Sequence, residues 1–216
     1  MVDSVNESSA LRFLVTAGPT REFIDPIRFI SNRSSGKMGY AVAEAAHAVS
    51  SHVTLVSGPA ELSRPKGVEF VAVTTAQEMA DAVLSRFDYC DVGIMVAAVC
   101  DFRPKEIATH KIKKTKFCKT LELEPTIDIL AELGRRKKHQ MLVGFAAETE
   151  NAEANALDKL QRKHLDLIVA NDARAFESDT NVVTLITQKG KPQRLPAMSK
   201  EAVAAAIIQR VLELRR

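Results

Sequence analysis

The chain is short of the features that most quickly betray a function. Its three cysteines, Cys90, Cys100 and Cys118, are odd in number and show no CxxC spacing, which argues against a disulfide framework or a thiolate zinc site. Their scarcity suits a reduced, cytoplasmic compartment. Long apolar runs are missing too: the most apolar stretch, residues 92–100, is far too short to span a bilayer. Residues 1–10 carry Asp3 and Glu7 with neither a basic nor an apolar segment, so no secretory leader is expected. Charge of one sign is absent as well. The 30 Lys and Arg against 27 Asp and Glu leave +3, too little to mark the chain as a polyanion binder, so any electrostatic argument must be local. The five histidines form no HExxH spacing and no GxSxG elbow is present, which removes support for a zinc hydrolase or a serine triad. There is no internal repeat, no low-complexity tract and no linker.

What is present is an alternation. With 46% hydrophobic residues, 216 residues suffice for one buried core. Apolar runs at residues 11–16, 52–56, 68–73, 91–97, 141–145, 166–170 and 182–187 read as strands. Met38, Val42, Ala45, Ala46 and Val49 follow helical spacing, and residues 76–86, 127–137, 150–163 and 200–214 read as helices. The expected fold is therefore α/β and Rossmann-like, a mainly parallel sheet with helices on both faces. One domain covers residues 11–216, and residues 1–10 are expected to be disordered. Two polar stretches break the rhythm, residues 18–39 and 101–120, and both fall beyond the carboxyl ends of strands, where α/β sheets bind ligands.

The first stretch ends in Ser34, Ser35, Gly36, Lys37, Met38 and Gly39, which open the first helix. Small hydroxyls, glycines and a helix N-terminus suit a phosphate, and they suit a plain N-cap with close helix packing equally well. The segment is neither a Walker A loop nor a GxGxxG fingerprint. Upstream, Arg28 and Asn32 offer directed donors for a carboxylate or phosphate, or alternatively structure the loop. The second stretch begins with Asp101, placed for a ribose hydroxyl or a metal-bound water, and continues through Arg103, Lys105, Lys111, Lys113, Lys114, Lys116 and Lys119. These cations suit a triphosphate or a solvated loop. Nucleic acid is disfavoured, because only Phe102 and Phe117 could stack among them. Lys159 and Lys163, spaced i,i+4, share a helix face just after the strand end at Phe145.

Taken together, GPTREFIDPIRFISNRSSGKMG (18–39), AAVCDF (97–102), KIKK (111–114), GFAAET (144–149) and DLIVAND (166–172) resemble the phosphopantothenoylcysteine synthetase family of coenzyme A biosynthesis, in family order and over nearly the whole chain. The resemblance implies a ligase that joins 4'-phosphopantothenate to L-cysteine through an acyl-cytidylate, with magnesium arriving on CTP. It implies a homodimer in which the lysine-rich segment reaches the partner subunit, and possible association with a separate decarboxylase. By position it implies that Arg28 and Asn32 serve the phosphopantothenate side and the acyl carbonyl, with Lys111 also catalytic. It assigns nucleotide contacts to Ser34, Ser35, Gly36, Lys37, Met38, Gly39, Ala97, Asp101 and Lys111. Further nucleotide contacts fall at Ile127, Asp128, Ile129, Leu130, Phe145, Lys159 and Lys163. Two positions depart from the family pattern: Cys100, where Ala or Ser is common, and Ile127, where proline is usual. Readings from other classes are a non-catalytic module that binds CTP or a dinucleotide, and a Rossmann-like oxidoreductase, the latter weakened by the missing glycine fingerprint.

Overall fold

The computed structural model describes residues 11–114, 120–148, 152–172 and 180–215. The main sheet is built from β1 (Phe13–Ala17), β4 (Val53–Ser57), β5 (Glu69–Ala72), β6 (Val92–Met95), β9 (Met141–Glu148) and β10 (Leu167–Asp172), all parallel, extended by antiparallel β12 (Val183–Thr187) and β13 (Gln193–Arg194). Its order is β13-β12-β10-β9-β6-β1-β4-β5. Counted in chain order, the six parallel strands run 3-2-1-4-5-6, with the reversal of direction between β1 and β6.

Both faces are covered, which is why the strands are apolar at successive positions instead of alternating with polar residues. Phe13, Val15 and Ala17 of β1 point to one face, where α1 (Lys37–His47) lies beside α5 (Lys200–Leu214); Leu14 points to the other, under α2 (Ala76–Phe87), α3 (Ile129–Arg136) and α4 (Ala152–Arg162). β10 divides the same way, Leu167 and Val169 against Ile168 and Ala170. Each fully buried Leu, Ile or Phe contributes about 1.5–3 kcal/mol relative to exposure.

Both polar interruptions carry hairpins that the apolar pattern did not reveal. In the first, β2 (Arg21–Phe23) pairs with β3 (Phe29–Ser31); in the second, β7 (Phe102–Pro104) pairs with β8 (Leu123–Pro125) across the lysine-bearing segment. The β2–β3 hairpin is seated by Glu22, 4% exposed, whose carboxylate accepts the Ala76 N–H at 2.8 Å and so reinforces the Thr75–Glu78 capping box of α2. A small antiparallel pair, β11 (Thr180–Asn181) with β14 (Met198–Ser199), leads into α5. The expected disorder of residues 1–10, and Lys116, Phe117, Cys118, Lys119 and Thr149 of the expected motifs, lie outside the described residues.

Candidate active site

At the switch point the β1–β6 ladder ends at Thr16 and Met95, and the two chains meet again in an isolated bridge between Pro19 and Ala98. Close approach is enforced by glycine. Gly18 has φ +72° and sits against the Gly58 backbone, while a Cβ on Gly39 would lie 2.5 Å from that of Ala17. The start of α1 is thereby pressed onto the end of β1.

Two cavities open there. The first is walled by residues 34–39, by Val96 to Ala98 and by Phe145, together with Asn171, Asn181 and Lys200. Among the helices whose N-caps are described, α1 alone has no side-chain cap: its cap is Gly36 at φ +79°, whereas Thr75, Asp128 and Ser199 cap α2, α3 and α5. The nearest hydroxyls to its first amides, Ser34 and Ser35, make only long contacts of 3.4 and 3.5 Å to the N–H groups of Gly36 and Lys37. An uncapped helix start facing a cavity is suited to an anion. Buried Lys200 donates to Asn181 Oδ1 at 3.3 Å, and Asn171 Oδ1 is buried with no partner among the described residues.

The second cavity adjoins the first and shares Ala97 and Phe145 with it. Thr16, Met79 and Met95 form its floor with Cys100, while Asp101, residues 126–130, Lys159 and Lys163 surround it. The two lysines do share a face, as their spacing predicts. Lys159 donates to the Phe145 carbonyl at 2.7 Å and Lys163 pairs with Asp128 at 2.8 Å. Burial pushes the Asp128 carboxyl up, but the hydrogen bond from Lys163, the Ala131 N–H and the charges of both lysines together hold it below the ordinary carboxylate range. Burial raises the Cys100 thiol above the ordinary thiol range.

The expected nucleotide contacts, taken as one group, are thus divided between two cavities, and Arg28, Asn32 and Lys111 belong to neither lining. Asn32 lies at the boundary. Its Nδ2 donates to the carbonyls of Ala98, in the first wall, and Val99, in the second, at 3.2 and 3.0 Å. Arg28 is engaged with fully buried Asp25 and donates to the Ile112 carbonyl at 3.1 Å, while Asp25 also accepts the Ile112 N–H at 3.2 Å. The hydrogen bond from Arg28, outweighing burial, and three backbone N–H groups hold Asp25 far below the usual carboxylate range. This knot ties the hairpin turn to the segment bearing Lys111, whose own side chain is exposed.

Sequence reasoning missed Asn181 and Lys200 and passed over Asn171 inside a block it had singled out. Lys200 carried one signal: a lysine in a helix's first turn is opposed by the helix dipole, so it needs a compensating contact.

A Rossmann-ordered α/β domain with a ligand crevice at its switch point is the class that fold and site define. Within that class, the family described as DNA/pantothenate metabolism flavoprotein C-terminal domain matches residues 9–214, and the chain belongs to it. It is 52% identical over 208 residues to the coenzyme A biosynthesis bifunctional protein CoaBC of Bacillus subtilis, covering 94% of this chain and 51% of that protein. Against the protein of the same name from Mycobacterium bovis the identity is 46%, covering 93% and 52%. The chain spans about half the length of the curated relatives it matches. The crystal structure of the C-terminal domain of CoaBC superposes with a TM-score of 0.81 at 46% identity, covering 93% of each chain.

Proposed function

We propose that this chain is a phosphopantothenate–cysteine ligase that uses CTP. The observation that carries the reading is the pair of abutting cavities at the switch point, one opening on the uncapped start of α1 and the other flanked by two lysines. A nucleotide spanning the two, its phosphates at the helix start and its nucleoside in the second cavity, leaves Asn32 at their boundary to meet the acid, an arrangement that suits an acid-activating ligase. The naming of half-length-matched relatives for coenzyme A biosynthesis, and the motif blocks in family order, support the substrate assignment.

In this reading a carboxylate oxygen of 4'-phosphopantothenate attacks the α-phosphorus of CTP and pyrophosphate leaves. The amine of L-cysteine then attacks the acyl carbon, CMP departs with the bridging oxygen, and the amine proton goes to solvent or a nearby base. The amides of residues 36–39, with Ser34 and Ser35, take phosphate oxygens, and Lys111, Lys159 and Lys163 offset their charge. Ala97, Phe145 and residues 127–130 enclose the nucleoside, with Asp101 toward the ribose. Arg28 and Asn32 serve phosphopantothenate, Asn32 reaching the acyl oxygen by giving up one of its two carbonyl bonds. Magnesium enters on the triphosphate, and Asp101 is the carboxylate that would share it; bound there it would neutralise phosphate charge. Among the described residues no cluster of three His, Cys, Asp or Glu is placed to cage a metal.

The preference for CTP rests on the likeness of SNRSSGKMG and GFAAET to the bacterial pattern. In this reading the protein acts as a homodimer, the lysine-rich segment reaching its partner, and can associate with a separate decarboxylase. A cytoplasmic setting goes with these substrates, and among the described residues no helix is long and apolar enough to cross a membrane. The test is pyrophosphate release by the purified chain. Release requiring phosphopantothenate, CTP and magnesium together, with amide formed only on adding cysteine, is expected; release without phosphopantothenate would overturn the reading.

A further inference from the structure

We propose that Thr16 and Thr20 are positioning residues of this reaction, their hydroxyl oxygens fixing residues 96–101 as the partition between the two cavities. Ala98 faces the first cavity, Val99, Cys100 and Asp101 the second, and Ala97 both. The shape of this loop therefore fixes how far a group held on one side stands from a group held on the other.

The loop begins where ordinary strand pairing ends. Beyond the Thr16–Met95 pair the regular ladder between β1 and β6 ends, only the isolated Pro19–Ala98 bridge follows, and the amides on either side of that bridge need other acceptors. Side chains from the β1 end supply them. Thr16, 2% exposed, accepts the N–H groups of Val96 and Ala97, each at 3.1 Å, and Thr20, fully buried, accepts that of Cys100 at 2.9 Å. Between them the Ala98 N–H donates to the Gly18 carbonyl at 2.9 Å. Valine has almost the same shape as threonine but accepts nothing, so Thr20→Val leaves one buried amide unanswered and Thr16→Val two half-buried ones, with little change in packing volume. A loop released in this way shifts, and misplacement on the order of 1 Å costs about a hundredfold in rate when reacting groups must meet.

The proposal rests on the reaction proposed above, so the test has two independent arms. Thr20→Val, Thr20→Ser and Thr16→Val are compared with Ser50→Ala, which removes a buried hydroxyl bonded to the Leu11 carbonyl at the opposite ends of the strands. In the kinetic arm, Thr20→Val is expected to lower kcat at least about tenfold while each KM moves less than about threefold. Thr20→Ser restores most of kcat, and Ser50→Ala lowers Tm without changing turnover per folded molecule. In the second arm, amide hydrogen exchange in the 96–101 peptide rises at least about tenfold in Thr20→Val and not in Ser50→Ala. Unchanged exchange and kcat in Thr20→Val, or an equal loss of kcat in Ser50→Ala, would overturn the proposal. Should the wild type show no ligase turnover, the proposed reaction fails and the exchange arm alone decides whether the partition is held by the hydroxyls. If Thr20→Val does not fold, Thr16→Val carries both arms with the same expected outcomes.

Discussion

The two ends of the parallel sheet differ in what their polar groups do, although each end carries a cavity. At the amino ends it is lined by Arg12, His52, Glu69, Arg86, Tyr89 and Cys90 among others. There the charges answer one another: Arg12 pairs with Asp91 at 3.0 Å, and Glu69 accepts the Thr54 hydroxyl at 2.8 Å and lies 3.8 Å from Arg86. At the carboxyl ends the start of α1 has no side-chain cap, Asn171 Oδ1 is buried with no partner among the described residues, and two lysines converge on one opening. Each end has a cavity and one buried polar atom with no partner among the described residues, Asn171 Oδ1 here and His47 Nδ1 at the far end of α1; the uncapped helix start and the two lysines set the carboxyl ends apart.

The largest expected effect breaks the comparison at a glycine. Gly39→Ala puts a methyl group within 2.8 Å of the Thr16 carbonyl oxygen as well as against Ala17, so α1 must lift from β1. Nucleotide affinity is expected to fall on the order of a hundredfold by calorimetry, matching the loss of several oriented donors. Gly67→Ala, at the amino ends with φ +74°, is expected to lower Tm while leaving activity per folded molecule unchanged.

Asp25→Ala is next. It frees Arg28 and the Ile112 N–H at once, and the segment carrying Lys111 loses its tether, so kcat is expected to drop roughly tenfold to a hundredfold. The same carboxylate gives a pH signature. Its pKa is depressed in the fold, so its contribution to stability is fully present above the unfolded value near about 4 and is lost as pH falls below it. In Asp25→Asn the acid-side decline in Tm between pH 5 and pH 2 is therefore expected to be shallower than in the wild type.

How much of this was legible beforehand follows the same division between the two ends. The central strands announced themselves because burial on both faces makes them continuous apolar runs, and Lys159 with Lys163 because helical spacing is local. The hairpins were hidden: β2 and β3 are three-residue strands with charged and polar residues, and β7 finds β8 only after a gap of 18 residues, a pairing no local pattern encodes. Asn181 and Lys200 meet because β11 and α5 return to the start of α1, so their juxtaposition is a property of topology. The hydroxyls of Thr16 and Thr20 were equally silent, since a threonine at a strand end looks like ordinary β propensity.

A smaller effect sharpens the electrostatics of the second cavity. Lys163→Met removes one cation and leaves Asp128 at the α3 cap without its partner, and nucleotide binding is expected to weaken about tenfold, with less effect at high salt. The smallest effect concerns the thiols. Burial, with the charge of Asp91, pushes Cys90 up to about 12, and burial also raises Cys100. In a Cys118→Ser background neither is expected to react with iodoacetamide in the folded protein at pH 8, and Cys100→Ala should keep activity within about threefold.

The central claim is that the carboxyl-end crevice brings a carboxylate to the α-phosphorus of a nucleotide. Phosphopantothenate labelled with oxygen-18 in its carboxylate, turned over with CTP and cysteine, tests it most directly. One label is predicted in the phosphate of the released CMP, because the bridging oxygen leaves with the nucleotide when the amine attacks carbon. Label in inorganic phosphate, or in neither product, would contradict the account.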